Sequence, residues 1–261
     1  AGEVDATGLT ILVGPPDDEG AAGGNAEAGS ILLRSDGPVR LADSSLFAPN
    51  LGATVPGRIA LEAADLTLKD TTVATVADAG FAGDVTLRIG GDMMMRDSSV
   101  TTLSGDLGGG AIDVDVTGRL GMAGASQISN GSTGAGDLGA LAVTATEIAI
   151  GDTSFITATT SSDGAGGAVM LDGERLFLGG EGSIRTQTAG AGAAGSIALA
   201  FSDAVTITDE AGILASAEAP VTGGVDRIGP GGDIRIETGR LGLSANDPPP
   251  GAPVAGITAR S

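Results

Sequence analysis

The side chains that could do chemistry in this chain are nearly all carboxylates. Asp43-Ser44-Ser45, Asp70-Thr71-Thr72, Asp97-Ser98-Ser99 and Asp152-Thr153-Ser154 repeat one short pattern, and Asp209 heads a looser copy. If each copy belongs to one rung of a parallel ladder, the carboxylates stack about 5 Å apart. Such a column would suit Ca²⁺, a hard cation that collects several oxygens, and Asp43, Asp70 and Asp97 are the metal candidates. The same residues also make turns, because Asp, Ser and Thr hydrogen-bond to nearby backbone amides. Gly124 and Gly180 replace the Asp in two copies, and Ala245 replaces it in the last. A corner tolerates exchange of Asp for Gly; a ligand set does not. The corner reading leads, and no cofactor other than calcium is in view.

Acid–base chemistry has one further pair to offer. Asp113 and Asp115 are alternate residues and share a face if they lie on a strand. Cleavage of a polysaccharide needs such a pair in a groove that also grips sugar. The chain has no His, Cys, Trp or Tyr, and its aromatics are five Phe. Imidazole and thiol catalysis, disulfides and structural zinc are therefore excluded. The expectation is a protein that is not an enzyme. A net charge of −20 and a pI near 4.1 disfavour nucleic acid and anionic membrane surfaces. No apolar run approaches the ~20 residues that a membrane span requires, so no membrane insertion is expected.

These residues are positioned by an internal repeat. A motif of glycine followed by two aliphatic residues at alternate positions recurs eight times. It begins Gly29-Ser30-Ile31-Leu32-Leu33 and Gly57-Arg58-Ile59-Ala60-Leu61, and it restarts at Gly83, Gly110, Gly139, Gly167, Gly195 and Gly232. Successive glycines lie 28, 26, 27, 29, 28, 28 and 37 residues apart. A second aliphatic pair follows in each repeat, as in Val39/Leu41 and Leu66/Leu68, then a third segment around Leu46, Val73, Val100, Ile128, Phe155 or Ile156, Ile184, Ile213 and Ile257. Period-2 alternation broken by glycine means strands with one buried face. Three short strands in a period of ~28 residues make one coil of a parallel β-solenoid. The expectation is all-β, with about eight to nine coils and one aliphatic column from Ile31 to Ile234.

The run from Gly-x-Ile-x-Leu through Leu-x-Leu-x-Asp-x-Ser to a Gly-Ala-Gly turn resembles the repeats of filamentous-haemagglutinin-type exoproteins. The likeness spans about residues 29–243. It implies a right-handed parallel β-helix from a bacterial secreted or cell-surface protein of the two-partner-secretion kind, serving as an adhesin stalk or a fibre subunit. Glycans or cell-surface molecules are the external partners this implies. The acidic N-terminus, Ala1-Gly2-Glu3-Val4-Asp5, has no basic or apolar leader and fits a mature secreted form.

Residues 1–28 are expected to form a partial coil and loop that caps or assembles, residues 29–245 the repeats, and residues 246–261 a Pro-rich loop and terminal strand. Outward positions between the core residues are often small or apolar, and Leu32, Met94, Met170 and Phe177 are the largest. In so acidic a chain they suggest a covered contact face, and self-association, head-to-tail or lateral, is the expected use. The third segments carry Thr75, Thr101, Thr102, Thr157, Thr159, Thr186 and Thr188, which read as solvated polar strands rather than an ice-binding array. The 37-residue repeat holds an insertion at 219–230, the place to seek a specific contact.

Overall fold

A computed structural model of the chain describes residues 2–13, 28–51, 55–105, 107–161, 163–218, 229–244 and 255–260. Among these residues there is no helix, and the strands form two parallel sheets that together make a β-solenoid. Sheet one has 12 strands and sheet two has nine.

The aliphatic column expected from the glycine motif is present, rung on rung. Ile31 faces Ile59, Ile59 faces Val85, Val85 faces Ile112, and the pairing continues through Leu141, Val169 and Ile197 to Ile234. Sheet two carries the opposite wall: Leu46, Val73, Val100, Ile128, Ile156, Ile184 and Ile213 stack in register and are buried. Between Phe155 and Ile156, the inward residue is Ile156. One hydrophobic cluster runs through these columns. It consists mostly of Ile, Leu and Val, which fill a narrow tube where aromatic rings would not repeat.

The number of strands per coil departs from the expectation. Early coils have three, such as Ile31–Arg34, Val39–Ala42 and Ser45–Leu51. From Ile112–Ala123 onward the first two merge into one long strand with a register shift between Val116 and Arg119. The first coil is interrupted at Gly37-Pro38, where proline cannot donate to a ladder; Thr117-Gly118 only bulges. The coil count of eight to nine is also slightly high. The solenoid has about six turns. The outer rungs supply strands, Val4–Thr7 and Thr10–Leu12 at one end and Gly256–Arg260 at the other. Their long connections, with the insertion at 219–228 and the segment 245–254, lie outside the described residues.

Close approach explains the repeating glycine. A Cβ on Gly57, Gly83, Gly110, Gly195 or Gly232 would collide with the carbonyl of the equivalent glycine one coil back. The turns stack backbone on backbone, so no larger residue fits. Inward hydroxyl and amide groups of sheet two tie into the same turns. Thr75 Oγ1 donates to the Gly83 carbonyl at 2.6 Å and Thr186 Oγ1 to that of Gly195 at 2.6 Å. Asn130 Nδ2 bridges the Gly110 and Gly139 carbonyls at 2.8 and 2.9 Å. The expected solvated threonines are therefore corrected in part: Thr75, Thr102, Thr186 and Thr188 are fully buried. They lie on the same strand face as Val73, Val100 and Ile184, and turn carbonyls take up their hydroxyls.

Candidate functional site

The Asp pattern occupies one corner of the solenoid, and backbone conformation defines that corner. Asp43, Asp70, Asp97, Asp152 and Asp209 have φ of 48°, 47°, 50°, 53° and 59°. Gly8, Gly124 and Gly180, in the equivalent rungs, have φ of 69°, 68° and 63°. Glycine, and next to it Asp and Asn, enter this left-handed region most readily, which is why these residue types interchange there. The following hydroxyl completes the turn: Ser44, Thr71 and Ser98 are buried, and each donates back to the carbonyl two residues earlier at 2.7–2.8 Å.

The carboxylates themselves serve the backbone of adjoining coils. Asp152 Oδ2 accepts from the Gly124 amide at 2.7 Å, Asp97 Oδ1 from Ala125 at 3.0 Å and Asp209 Oδ2 from Gly180 at 3.2 Å. Away from this corner the same device recurs. Asp65 Oδ1 accepts from the Asp92 amide and Asp92 Oδ1 from Arg119, at 2.9 and 2.8 Å. Asp84, Asp137 and Asp163 accept from Ala111, Ala165 and Ala191 at 2.7–3.0 Å. At each of these bends an amide of a neighbouring coil points out of the ladder, and a carboxylate one rung away meets it.

Asp43, Asp70 and Asp97 stand exposed at successive corners, and Asp70 lies 3.8 Å from Lys69 Nζ. Among the described residues no three acidic side chains converge into a group able to hold a metal ion. The structure lines the three aspartates up without bringing them together.

Asp113 and Asp115 do share an outward face, beside a mixed charge ladder. Arg34, Glu62, Arg88 and Asp115 stack in register on sheet one. The Arg34 guanidinium grips Glu62 through Nε and Nη2 at 2.6 and 2.8 Å. This hydrogen bond holds the Glu62 carboxyl below its ordinary value and raises the Arg34 guanidinium. Arg88 pairs with Asp113, and that hydrogen bond raises Arg88 in turn. A depression of about 430 Å³ is lined by Arg34, Asp36, Glu62, Arg88 and Asp115. Asp113 is thus engaged by a guanidinium, and no aromatic ring lines the depression to hold a sugar. A second ladder links Arg119, Glu147, Arg175 and Asp203. The signal for both ladders in the sequence is opposite charge one repeat apart, as for Arg34 and Glu62 and for Arg119 and Glu147.

The contact-face residues are exposed but scattered: Leu32 64%, Met94 43%, Met170 43% and Phe177 45%. Leu32 and Met170 occupy one column five rungs apart, about 24 Å at the usual strand spacing. Met94 lies against Gly121 and Phe177 against Gly179. Charged ladders share the sheet with them, so the four do not form one apolar patch.

No family model, no curated protein and no solved structure matches the chain.

Proposed function

We propose that the chain is a non-enzymatic structural rod, a β-solenoid segment of an extracellular fibre or of a bacterial surface adhesin stalk. The resemblance to filamentous-haemagglutinin-type repeats suggests the setting. The observation that carries the reading is the use made of the carboxylates: eight aspartates cap amides of neighbouring coils. The abundant acid is part of the scaffold, and the best carboxylate pair is tied up by Arg88.

Mechanically, a rod of this kind works by leaving little backbone unpaired. Among the described residues, ladder bonds join each rung to the next and carboxylates and hydroxyls close bends, so few of these segments can be drawn into a protease cleft. Extending a surface away from a cell, or building bulk fibre, needs that property and no active site.

Negative-stain electron microscopy at neutral pH, with and without millimolar calcium, tests the reading. Elongated particles or fibres of the same width in both conditions are the expected result. Extended order that forms only with calcium would turn the reading toward a calcium-binding module. Depolymerisation of a polysaccharide that Asp113→Asn abolishes would overturn it.

A further inference from the structure

Two arginines share one depression on the outward face of sheet two. Three outward columns run there in register, from Ser45 to Gly256, from Phe47 to Thr258 and from Pro49 to Arg260. Two of their residues are charged, Arg185 and Arg260. They stand two rungs and two residues apart, about 12 Å between Cα atoms at the usual strand spacings. Both line a depression of about 210 Å³, with Ser183, Glu210 and Thr258. On sheet one guanidiniums lie against acids, Arg34 on Glu62, Arg88 on Asp113 and Arg175 on Glu147. Arg185 and Arg260 are exposed and enter no ion pair among the described residues, although Glu210 borders the same depression.

Ser183 is an independent sign at the same place. It is 5% exposed, and its hydroxyl has no hydrogen-bond partner among the described residues. The buried Ser44, Thr71 and Ser98, by contrast, each donate to a nearby carbonyl. A hydroxyl taken from water and left unmet costs free energy that a ligand oxygen would recover.

We propose that this depression binds a small, singly charged hydroxy acid. Each guanidinium donates to one oxygen of a carboxylate set between them, the pairing for which the planar fork is suited. Ser183 and Thr258 bring hydroxyls to the hydroxyl of the ligand. Two positive charges and the Glu210 carboxylate leave a net charge of one, which a single carboxylate neutralises. A polyanion would also meet Glu210 and Asp209 beside it, in a chain of net charge −20. The volume is below the ~300–1,000 Å³ of sites for drug-sized ligands, and a molecule of a few heavy atoms fills it.

The site goes beyond the rod reading and leaves it standing either way: particles stay elongated in micrographs whether or not the site is filled. Heteronuclear NMR of the 261-residue chain titrated with lactate at constant ionic strength tests it. The Nε–H signals of Arg185 and Arg260 and the Gly212 amide should shift and saturate, with a Kd on the order of 1 mM. Lactamide, the uncharged counterpart, should shift none of them, and acetate, which lacks the hydroxyl, should bind several-fold more weakly than lactate. Arg185→Gln and Arg260→Gln should each weaken lactate at least tenfold with the melting temperature within a few degrees of the parent, and Arg96→Gln should change nothing. Ser183→Ala should bring lactate down to the affinity of acetate. Absence of saturation, or lactate binding kept in both arginine variants, would overturn the site. Sulfate binding tighter than lactate, or acetate binding as tightly, would overturn the hydroxy-acid assignment.

Discussion

Asp152 Oδ2 accepts the Gly124 amide at 2.7 Å, and the two residues hold the same left-handed corner one coil apart, with φ of 53° and 68°. One rung supplies the conformation and the next supplies the acceptor. A glycine at such a corner has no side chain to cap its own turn, and an aspartate in the neighbouring coil does so for it. Gly180 and Asp209 repeat the relationship.

The corner tolerates glycine better than any branched residue. Asp70→Gly is expected to stay within about 0.5 kcal/mol of the parent in chemical denaturation. Asp70→Val forces a β-branched residue to a φ near 47° and should lose about 1–2 kcal/mol. Equal stability of the two variants would contradict the corner role.

Stacked turns make the repeat glycine irreplaceable. Gly110→Ala sets a methyl group against the Gly83 carbonyl and should destabilise by about 1–3 kcal/mol. Gly151 is the control: an added Cβ finds only the Met122 carbonyl, at 3.8 Å. Gly151→Ala should be neutral, or stabilising by up to about 1 kcal/mol through the unfolded chain. Urea midpoints of the two variants check this directly.

Asn130 is buried and satisfies two turn carbonyls while accepting from Thr102 Oγ1 at 2.8 Å. Asn130→Leu keeps the volume and strands those partners, at a cost of about 2–4 kcal/mol by the penalty for unmet buried groups. Thermal melting of the variant should show a clear loss.

Acid should weaken the Arg34–Glu62 pair. Its hydrogen bond lowers the Glu62 carboxyl from an ordinary 4.5, so the pair's contribution is present above that value and is lost as pH falls through the folded-state value. Both side chains are exposed, so the effect is small. Glu62→Gln should narrow the difference in urea midpoint between pH 6 and pH 3; an unchanged difference would contradict the assignment.

The columns were legible in the sequence because a solenoid writes its register as a period. Ile31 to Ile234 could be aligned by counting from glycines, and Asp–Gly exchange marked the corner. The inward hydroxyls follow from the same alternation: Thr75 stands two residues from Val73 and Thr102 two from Val100, so both are buried at 0%, while Thr101 points outward and is half-exposed. The outward direction of Leu32 and Met94 was legible from the same alternation, and their neighbours along the rod axis are Ala60 and Gly121.

The most direct test that the aspartate column is a structural corner and not a metal site is the melting temperature of the parent and of a variant with Asp43, Asp70 and Asp97 all changed to glycine. Each is measured in EDTA and in millimolar calcium. The expected result is that calcium moves neither protein and that the variant melts within a few degrees of the parent, since Asp97 alone of the three gives up an amide cap at 3.0 Å. A calcium-raised melting temperature in the parent that disappears in the variant would contradict it and make the Asp column a binding site.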